Sequence, residues 1–401
     1  MSDSVTEKSN AYIPFHRTSI GKHEIDEVNK VLASGWLTTG PVAHDFEKKF
    51  AEYLGCKHAL AVSTGTGALQ LALDAIGLTR GDEVLVPTNT FTATAEVVTY
   101  FGAKPILCDS IENGFNIDCA EIERKITPRT KAVIPVHIGG EPCDMDAIQH
   151  VAKGYGLHVI EDAAHALPAR YKGRLVGTVS ELTAFSFYAT KTITTGEGGM
   201  LATNNDEYAE RASVMRLHGI GHQDAWKRYA KAGSWYYEVV DAGYKLNLCD
   251  ILAALGRAQL TRCDLFWKRR SELAARYREK LSAIDELQMP PDVPNGDQHS
   301  WHLFILRLNT ESLNVSRDEF IEHLKERQIG SSVHFIPLHR QPYYREKYGY
   351  SIRDFPHAED AFSRCLSLPI YPDLRDDQLE RVVEAVTDIV TANRRTKIFA
   401  T

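Results

Sequence analysis

Apolar positions fall along this chain in two alternating rhythms. Short apolar runs occur at HALAV (58–62), EVLVP (83–87), KPILCD (104–109), KAVIPVH (131–137), LHVIED (157–162) and TAFSFY (183–188), and the stretches between them carry helical spacing. His23–Ser34 and His44–Leu54 are amphipathic helices ahead of the first run, the second with Gly55 just past its end. Ala68–Ile76 and Asp144–Gly156 have the length of crossover helices. The alternation predicts an α/β fold with a mostly parallel, doubly wound sheet, helices on both faces, and ligands beyond the carboxyl ends of the strands.

After Gly243 the rhythm changes. Cys249 to about Ile284 reads as one long, charged, amphipathic helix suited to joining two domains. A strand at HLFILRL (302–308), a helix at SRDEFIEHLKERQ (316–328), a strand at SSVHFI (331–336) and a closing helix at Asp376–Asn393 then make a small α/β layer. The expected division is a flexible arm over residues 1–12, a large domain over 13–255 and a small C-terminal domain over 256–401. The tract Gly219–Gly243, rich in Trp, Tyr and Lys, is the longest without periodicity and reads as a functional loop.

At 43% hydrophobic and 25% charged, the 401 residues have the composition of a folded globular protein. The formal net charge of −7, with Lys and Arg scattered, leaves no basic stripe for nucleic acid or an anionic membrane, so any anion must be bound locally. The polar start MSDSVTEKSNAYIPF lacks the layout of a secretory signal, and no apolar run reaches membrane-span length; a cytoplasmic location is expected. The seven cysteines (56, 108, 119, 143, 249, 263, 365) are odd in number and widely spaced, without zinc-ligand patterns, which suggests reduced, mostly buried thiols and no metal site.

Three motifs carry chemistry. Ser63-Thr64-Gly65-Thr66-Gly67 stands between a strand and a helix, where backbone N–H groups and the helix dipole suit a phosphate; a tight turn without ligand is the plain alternative. The dinucleotide fingerprint is incomplete, Gln70 standing at its third glycine, and no P-loop lysine follows. In Val159-Ile160-Glu161-Asp162-Ala163-Ala164-His165 an aspartate ends an apolar strand, where it can pair with a cationic ring nitrogen or merely cap the next helix. Lys191, just past Ala184-Phe185-Ser186-Phe187-Tyr188, lies among hydroxyls and glycines where a desolvated amine becomes nucleophilic, although most lysines are simply solvated. A phosphate cradle, a strand-end carboxylate and a lysine are together what pyridoxal phosphate (PLP) requires.

STGTGALQLAL, DEVLVPTNTFTATA, VIEDAAHA, SFYATKTITTGEGG, GYKLNLCDILAALG and SSVHFIPLH, in this order, resemble the DegT/DnrJ/EryC1/StrS sugar aminotransferases from about Pro14 to the last helix. His165 after EDAA, GYK-x-N-L, WHLFILRL and VHF-x-x-x-H are most similar to the nucleotide-sugar 4-aminotransferases that make UDP-4-amino-4-deoxy-L-arabinose, with bacillosamine- and pseudaminic acid-pathway enzymes close behind. The resemblance implies an aspartate-aminotransferase-like fold (PLP fold type I) and a homodimer with shared sites. It implies transfer of an amino group from L-glutamate to C4 of a nucleotide-diphospho-4-keto sugar. By the same likeness Lys191 binds PLP covalently and moves protons, Asp162 keeps the ring nitrogen protonated, and His165 lies near the phenolic oxygen. Thr66, the backbone at Gly67 and Ser186 would contact the phosphate, and Phe91 would stack on the ring. Asn247, with Lys245 beside it, would reach the neighbouring subunit's site, and His334 would face the sugar. The Gly219–Gly243 tract, with Trp226, Trp235, Tyr236 and Tyr237, could cover the nucleotide, since aromatic and basic side chains suit a base and a diphosphate, with no single residue assigned. The chain departs from the pattern at Gly67 (commonly Ala), Leu246 (Tyr) and Cys249 (Ser or Thr), which touches phosphate and subunit contacts only. A PLP-dependent sugar dehydratase, where relatives replace the lysine with His, a non-enzymatic regulator, and a PLP enzyme acting on amino acids alone are the rival readings; Lys191 speaks against the first, and its combination with Asp162 and His165 against the second.

Overall fold

The structure, a computed structural model, describes residues 11–221, 235–294 and 296–395. Most of the expected arm and Trp226 lie outside these residues. Helices α1 (Lys22–Ser34) and α2 (Pro41–Leu54) lead into strand β1 (His58–Val62). Next come α3 (Gly65–Ala75), β2 (Glu83–Pro87), α4 (Ala93–Tyr100), β3 (Lys104–Cys108), α5 (Cys119–Lys125), β4 (Thr130–Val133), α6 (Met145–Tyr155) and β5 (His158–Asp162). A short hairpin, β6 (Arg170–Tyr171) and β7 (Arg174–Leu175), precedes β8 (Leu182–Ser186), β9 (Gly199–Thr203) and α7 (Asp206–Met215). Helix α3 opens at Gly65 rather than at Ala68, because Thr64 caps it by accepting the Gly67 N–H at 2.9 Å. Strand β4 stops at Val133, short of the expected 137.

The main sheet has the order β1-β9-β8-β5-β4-β2-β3. From β8 to β3 all neighbours are parallel, whereas β9 is antiparallel to both β1 and β8. Both faces are buried: Leu69, Leu71, Val84, Val86, Val98 and Leu201 belong to one apolar cluster, and Phe46, Phe50, Phe185, Phe187 and Met200 to another. The runs are therefore nearly continuous in apolar residues instead of alternating.

The expected single helix from 249 to 284 is two, α8 (Asp250–Leu260) and α9 (Cys263–Leu281). At the break the Arg262 N–H turns back to Gln259 O (2.9 Å), while its guanidinium pairs with Glu24 at 2.8 Å and lies over the Phe266 ring. Helix α9 passes from one core to another: Cys263 and Phe266 pack with the Phe46 cluster, and Leu273, Ala274, Tyr277 and Leu281 with a second core.

That second core is built on an antiparallel sheet β10-β11-β12 (Leu287–Gln288, Phe304–Leu308, Cys365–Leu368) with α10 (Arg317–Glu326), and is closed by the last helix after α11 (Pro342–Tyr348) and α12 (Pro356–Arg364). The last helix, α13 (Asp376–Asn393), has the bounds read from the sequence. Ile13 is buried in this core and pairs with Ile329. Residues 331–336 are not a strand: only Ser332 pairs, with Ser367, and Phe335 N–H turns to Asn89 of the large sheet's side (3.4 Å). Ser332, His334 and Phe335 line a cavity, and Val333 and Phe335 pack on a small apolar cluster that includes Phe115, Leu303 and Ile305. All seven cysteines are free thiols, and among the described residues no helix is long and apolar enough to cross a membrane.

Candidate active site

The carboxyl ends of β1, β5 and β8 converge on a cavity of about 620 Å³. Asp162, His165 and Lys191 all line it, with Thr66, Ser186, Phe91 and His334. Lys191 follows β8 in a turn closed by its own N–H to Tyr188 O at 2.9 Å. Half-buried by surface, its amine is hemmed in by protein, and desolvation brings its pKa down to about 8. Asp162 ends β5; Thr94 Oγ1 donates to its Oδ2 at 2.8 Å and the Ala164 N–H to its Oδ1 at 3.1 Å. Burial pushes this carboxyl upward, and the two hydrogen bonds and the Lys191 charge oppose the rise. Among the described residues no cation stands within ion-pair distance of it, so a protonated nitrogen in the cavity is the partner its environment lacks.

The Gly139 N–H donates to His165 Nδ1 at 3.2 Å. Desolvation first, and then the Lys191 charge, keep the imidazole neutral, so Nε2 carries the proton and is the free donor. The ring packs against His302 (centroids 4.5 Å) and Phe335 (5.7 Å). His302 and Phe335 line the cavity, as do Phe15, Thr90 and Tyr188, none of which the sequence singled out. The PTNTF, WHLFILRL and SSVHFI motifs held Thr90, His302 and Phe335 in plain view, but Phe15 sits in a segment with no local signal.

The cradle is the N-terminus of α3. Helical geometry leaves the amides of Gly65 and Thr66 without intrahelical partners. A Cβ on Gly65 would stand 2.9 Å from Ser186 Cβ, so the missing side chain lets the end of β8 close against the helix start. Gly67 is a correction: its N–H is spent on the Thr64 hydroxyl and the residue does not line the cavity. Lys245 and Asn247, expected at a neighbouring subunit's site, do not line this cavity. They bond to each other, and Asn247 also reaches Thr39, on the outer side of β1. Phe91 is 59% exposed, its ring facing open space in the cavity wall. Trp235, Tyr236 and Tyr237 are also exposed, away from the cavity.

An anion-binding end, a buried carboxylate, an imidazole N–H and a desolvated amine thus share one chamber. Residues 18–387 match the DegT/DnrJ/EryC1/StrS aminotransferase family. This chain belongs to that family. The spore coat polysaccharide biosynthesis protein SpsC of Bacillus subtilis is 49% identical over 96% of this chain and 99% of its own length. The PLP form of the sugar aminotransferase Spr1654 from Streptococcus pneumoniae superposes with a TM-score of 0.87 at 31% identity, covering 95% of this chain and 99% of that one. Helicobacter pylori PseC, an aminotransferase involved in the biosynthesis of pseudoaminic acid, gives 0.87 at 27% identity over 95% of this chain and 100% of that one. As a DegT/DnrJ/EryC1/StrS aminotransferase of PLP fold type I, the protein is a sugar aminotransferase with pyridoxal phosphate as its cofactor. The residues present fit that group: the α3 amides suit its phosphate, the unpaired Asp162 its ring nitrogen, and Lys191 its aldehyde.

Proposed function

We propose that this aminotransferase moves an amino group from L-glutamate to the C4 keto group of a nucleotide-diphospho sugar, UDP being the expected nucleotide, in the making of a surface polysaccharide or glycoconjugate. The observation that carries this reading is the meeting of Lys191, Asp162 and His165 in one cavity beside the α3 N-terminus. Similarity to SpsC and PseC supports the sugar, and the GYK-x-N-L and VHF motifs support the C4 position.

Bound PLP supplies an aldehyde for the incoming amine and a protonated ring that draws electrons from the carbon next to nitrogen. The Gly65 and Thr66 amides, with the Thr66 and Ser186 hydroxyls, would hold its phosphate. Asp162, held in place by Thr94 and Ala164, would keep a proton on the ring nitrogen. His165 Nε2–H would serve the phenolic oxygen as donor, and Phe91 would supply an aromatic face for the ring. Lys191 would be the residue that holds the aldehyde, and its amine would carry the proton to and from the carbon that gains or loses nitrogen. A pKa near 8 leaves that amine able to do both. His334, kept neutral by burial, faces the space left for the sugar. Lys245 and Asn247, outside their own cavity, belong in this reading to the partner's site in a homodimer. Seven free thiols suit the reducing cytoplasm as its place of action.

The test is the visible spectrum of the PLP-loaded protein. L-Glutamate should bleach its absorption band, a UDP-4-keto sugar should restore it, and borohydride should fix the label on Lys191. A band indifferent to glutamate, or conversion of the sugar by loss of water, overturns the reading in favour of a dehydratase.

A further inference from the structure

The segment Ile13–Ser19 has no part in the chemistry above, yet it runs from the second core to the lysine's own turn. Ile13 is anchored by its N–H to Gln328 O and by its carbonyl to the Gly330 N–H, both 2.8 Å. Phe15 lines the cavity and stacks on His334, with centroids 5.4 Å apart. The next side chains cross to the opposite wall. His16 Nε2 lies 3.2 Å from Ala189 O, and Thr18 Oγ1 donates to the same oxygen at 2.9 Å. Ser19 then bonds to Asp373 at 3.0 Å, returning the segment to the second core's side.

Ala189 stands two residues before Lys191, inside the turn that the Lys191 N–H closes on Tyr188. Burial, with the Arg270 charge, lowers the His16 pKa to about 4, so the ring is neutral at working pH. A neutral ring facing a carbonyl at Nε2 carries its proton there and donates it. The carbonyl therefore takes two side-chain donors, from positions 173 and 171 residues away in the chain. Packing alone would not require two donors on one main-chain oxygen. Their joint effect is to fix the plane of the peptide that leads into the lysine.

We propose that His16 and Thr18 are positioning residues for Lys191, the strap Ile13–Ser19 holding the lysine's turn against the second domain while Phe15 completes the cavity wall. The proposal rests on Lys191 being the residue that carries PLP. Misplacing a reacting group by a fraction of an ångström slows chemistry without weakening binding.

The experiment compares the full-length, PLP-loaded protein with Thr18→Val, His16→Phe, the double variant, and His16→Gln, whose amide N–H can replace the lost donor. Borohydride reduction and peptide mapping come first in each; a label on another residue overturns the reading of Lys191 and the strap with it. With Lys191 labelled, the double variant should react with saturating L-glutamate about tenfold more slowly, with its half-saturating concentration unchanged. The midpoint of the pH titration of its visible band should move, and His16→Gln should keep most of the wild-type rate. Thr18→Val alone should show a smaller loss in the same direction, which keeps the test open if the double variant does not fold. A wild-type rate and midpoint in the variants, or a loss in His16→Gln as deep as in His16→Phe, overturns the strap while leaving the aminotransferase reading intact.

Discussion

Thr94 donates its hydroxyl hydrogen to Oδ2 of Asp162 at 2.8 Å and, that proton being committed, accepts from Thr90, also at 2.8 Å. Two hydroxyls in series stabilise the ionised carboxylate against the upward pull of burial. Thr94→Val keeps the shape and removes the donor. We expect kcat to fall about tenfold, the value of one hydrogen bond to a charged group. Asp162→Asn, which cannot keep the ring nitrogen protonated, should cost about 10²-fold or more. Steady-state kinetics with the pH titration of the visible band would check both.

Lys191 should titrate far below an ordinary lysine. Desolvation disfavours its charged form and brings the pKa from 10.5 to about 8. Below that pH the amine is protonated and inert; above it, neutral and nucleophilic. In protein stripped of PLP, acetylation of Lys191 followed by mass spectrometry should rise with pH to half its maximum near 8. A half-maximum near 10.5 would mean that the amine is solvated.

Phe91 offers its ring to the cavity at 59% exposure, so its value should lie in binding and not in folding. Phe91→Ala should weaken PLP binding by about fivefold, on the order of 1 kcal/mol for a lost aromatic face, with no drop in melting temperature. Fluorescence titration of the stripped protein and a thermal melt measure the two separately.

Gly199 touches the cradle through backbone. A Cβ there would stand 2.5 Å from Thr64 O and 2.7 Å from Gly65 N, neither of which can swing aside. Gly199→Ala should displace the start of α3, lowering stability by about 1–3 kcal/mol and PLP affinity with it. Denaturant unfolding and cofactor titration should move together. An unchanged affinity would show that the α3 amides do not bind the phosphate.

How much of this was legible in the chain depends on the range of the interactions involved. HALAV and EVLVP formed strands over the residues read, and Asp376–Asn393 its helix, because periodicity and strand-end punctuation are local properties. For the same reason Lys191, Asp162 and His165 could be picked out: each follows a strand, and the carboxyl edge of such a sheet gathers strand ends into one place. The tertiary structure decided what required a distant partner. Arg262, paired with Glu24, stands at the break in the helix read as continuous, and of residues 331–336 only Ser332 finds a strand partner, Ser367. The Thr64 cap takes the Gly67 N–H and leaves those of Gly65 and Thr66 at the open end of α3, a matter of hydroxyl geometry that a Gly-Thr-Gly string does not reveal. Gly139 selects the His165 tautomer, His302 and Phe335 fix its plane, and His16 and Thr18 grip the lysine's turn from far along the chain. Residue type and local spacing determined which groups could do the chemistry; only the folded chain, by bringing donors to particular oxygens and nitrogens and excluding water from them, decided their protonation and aim.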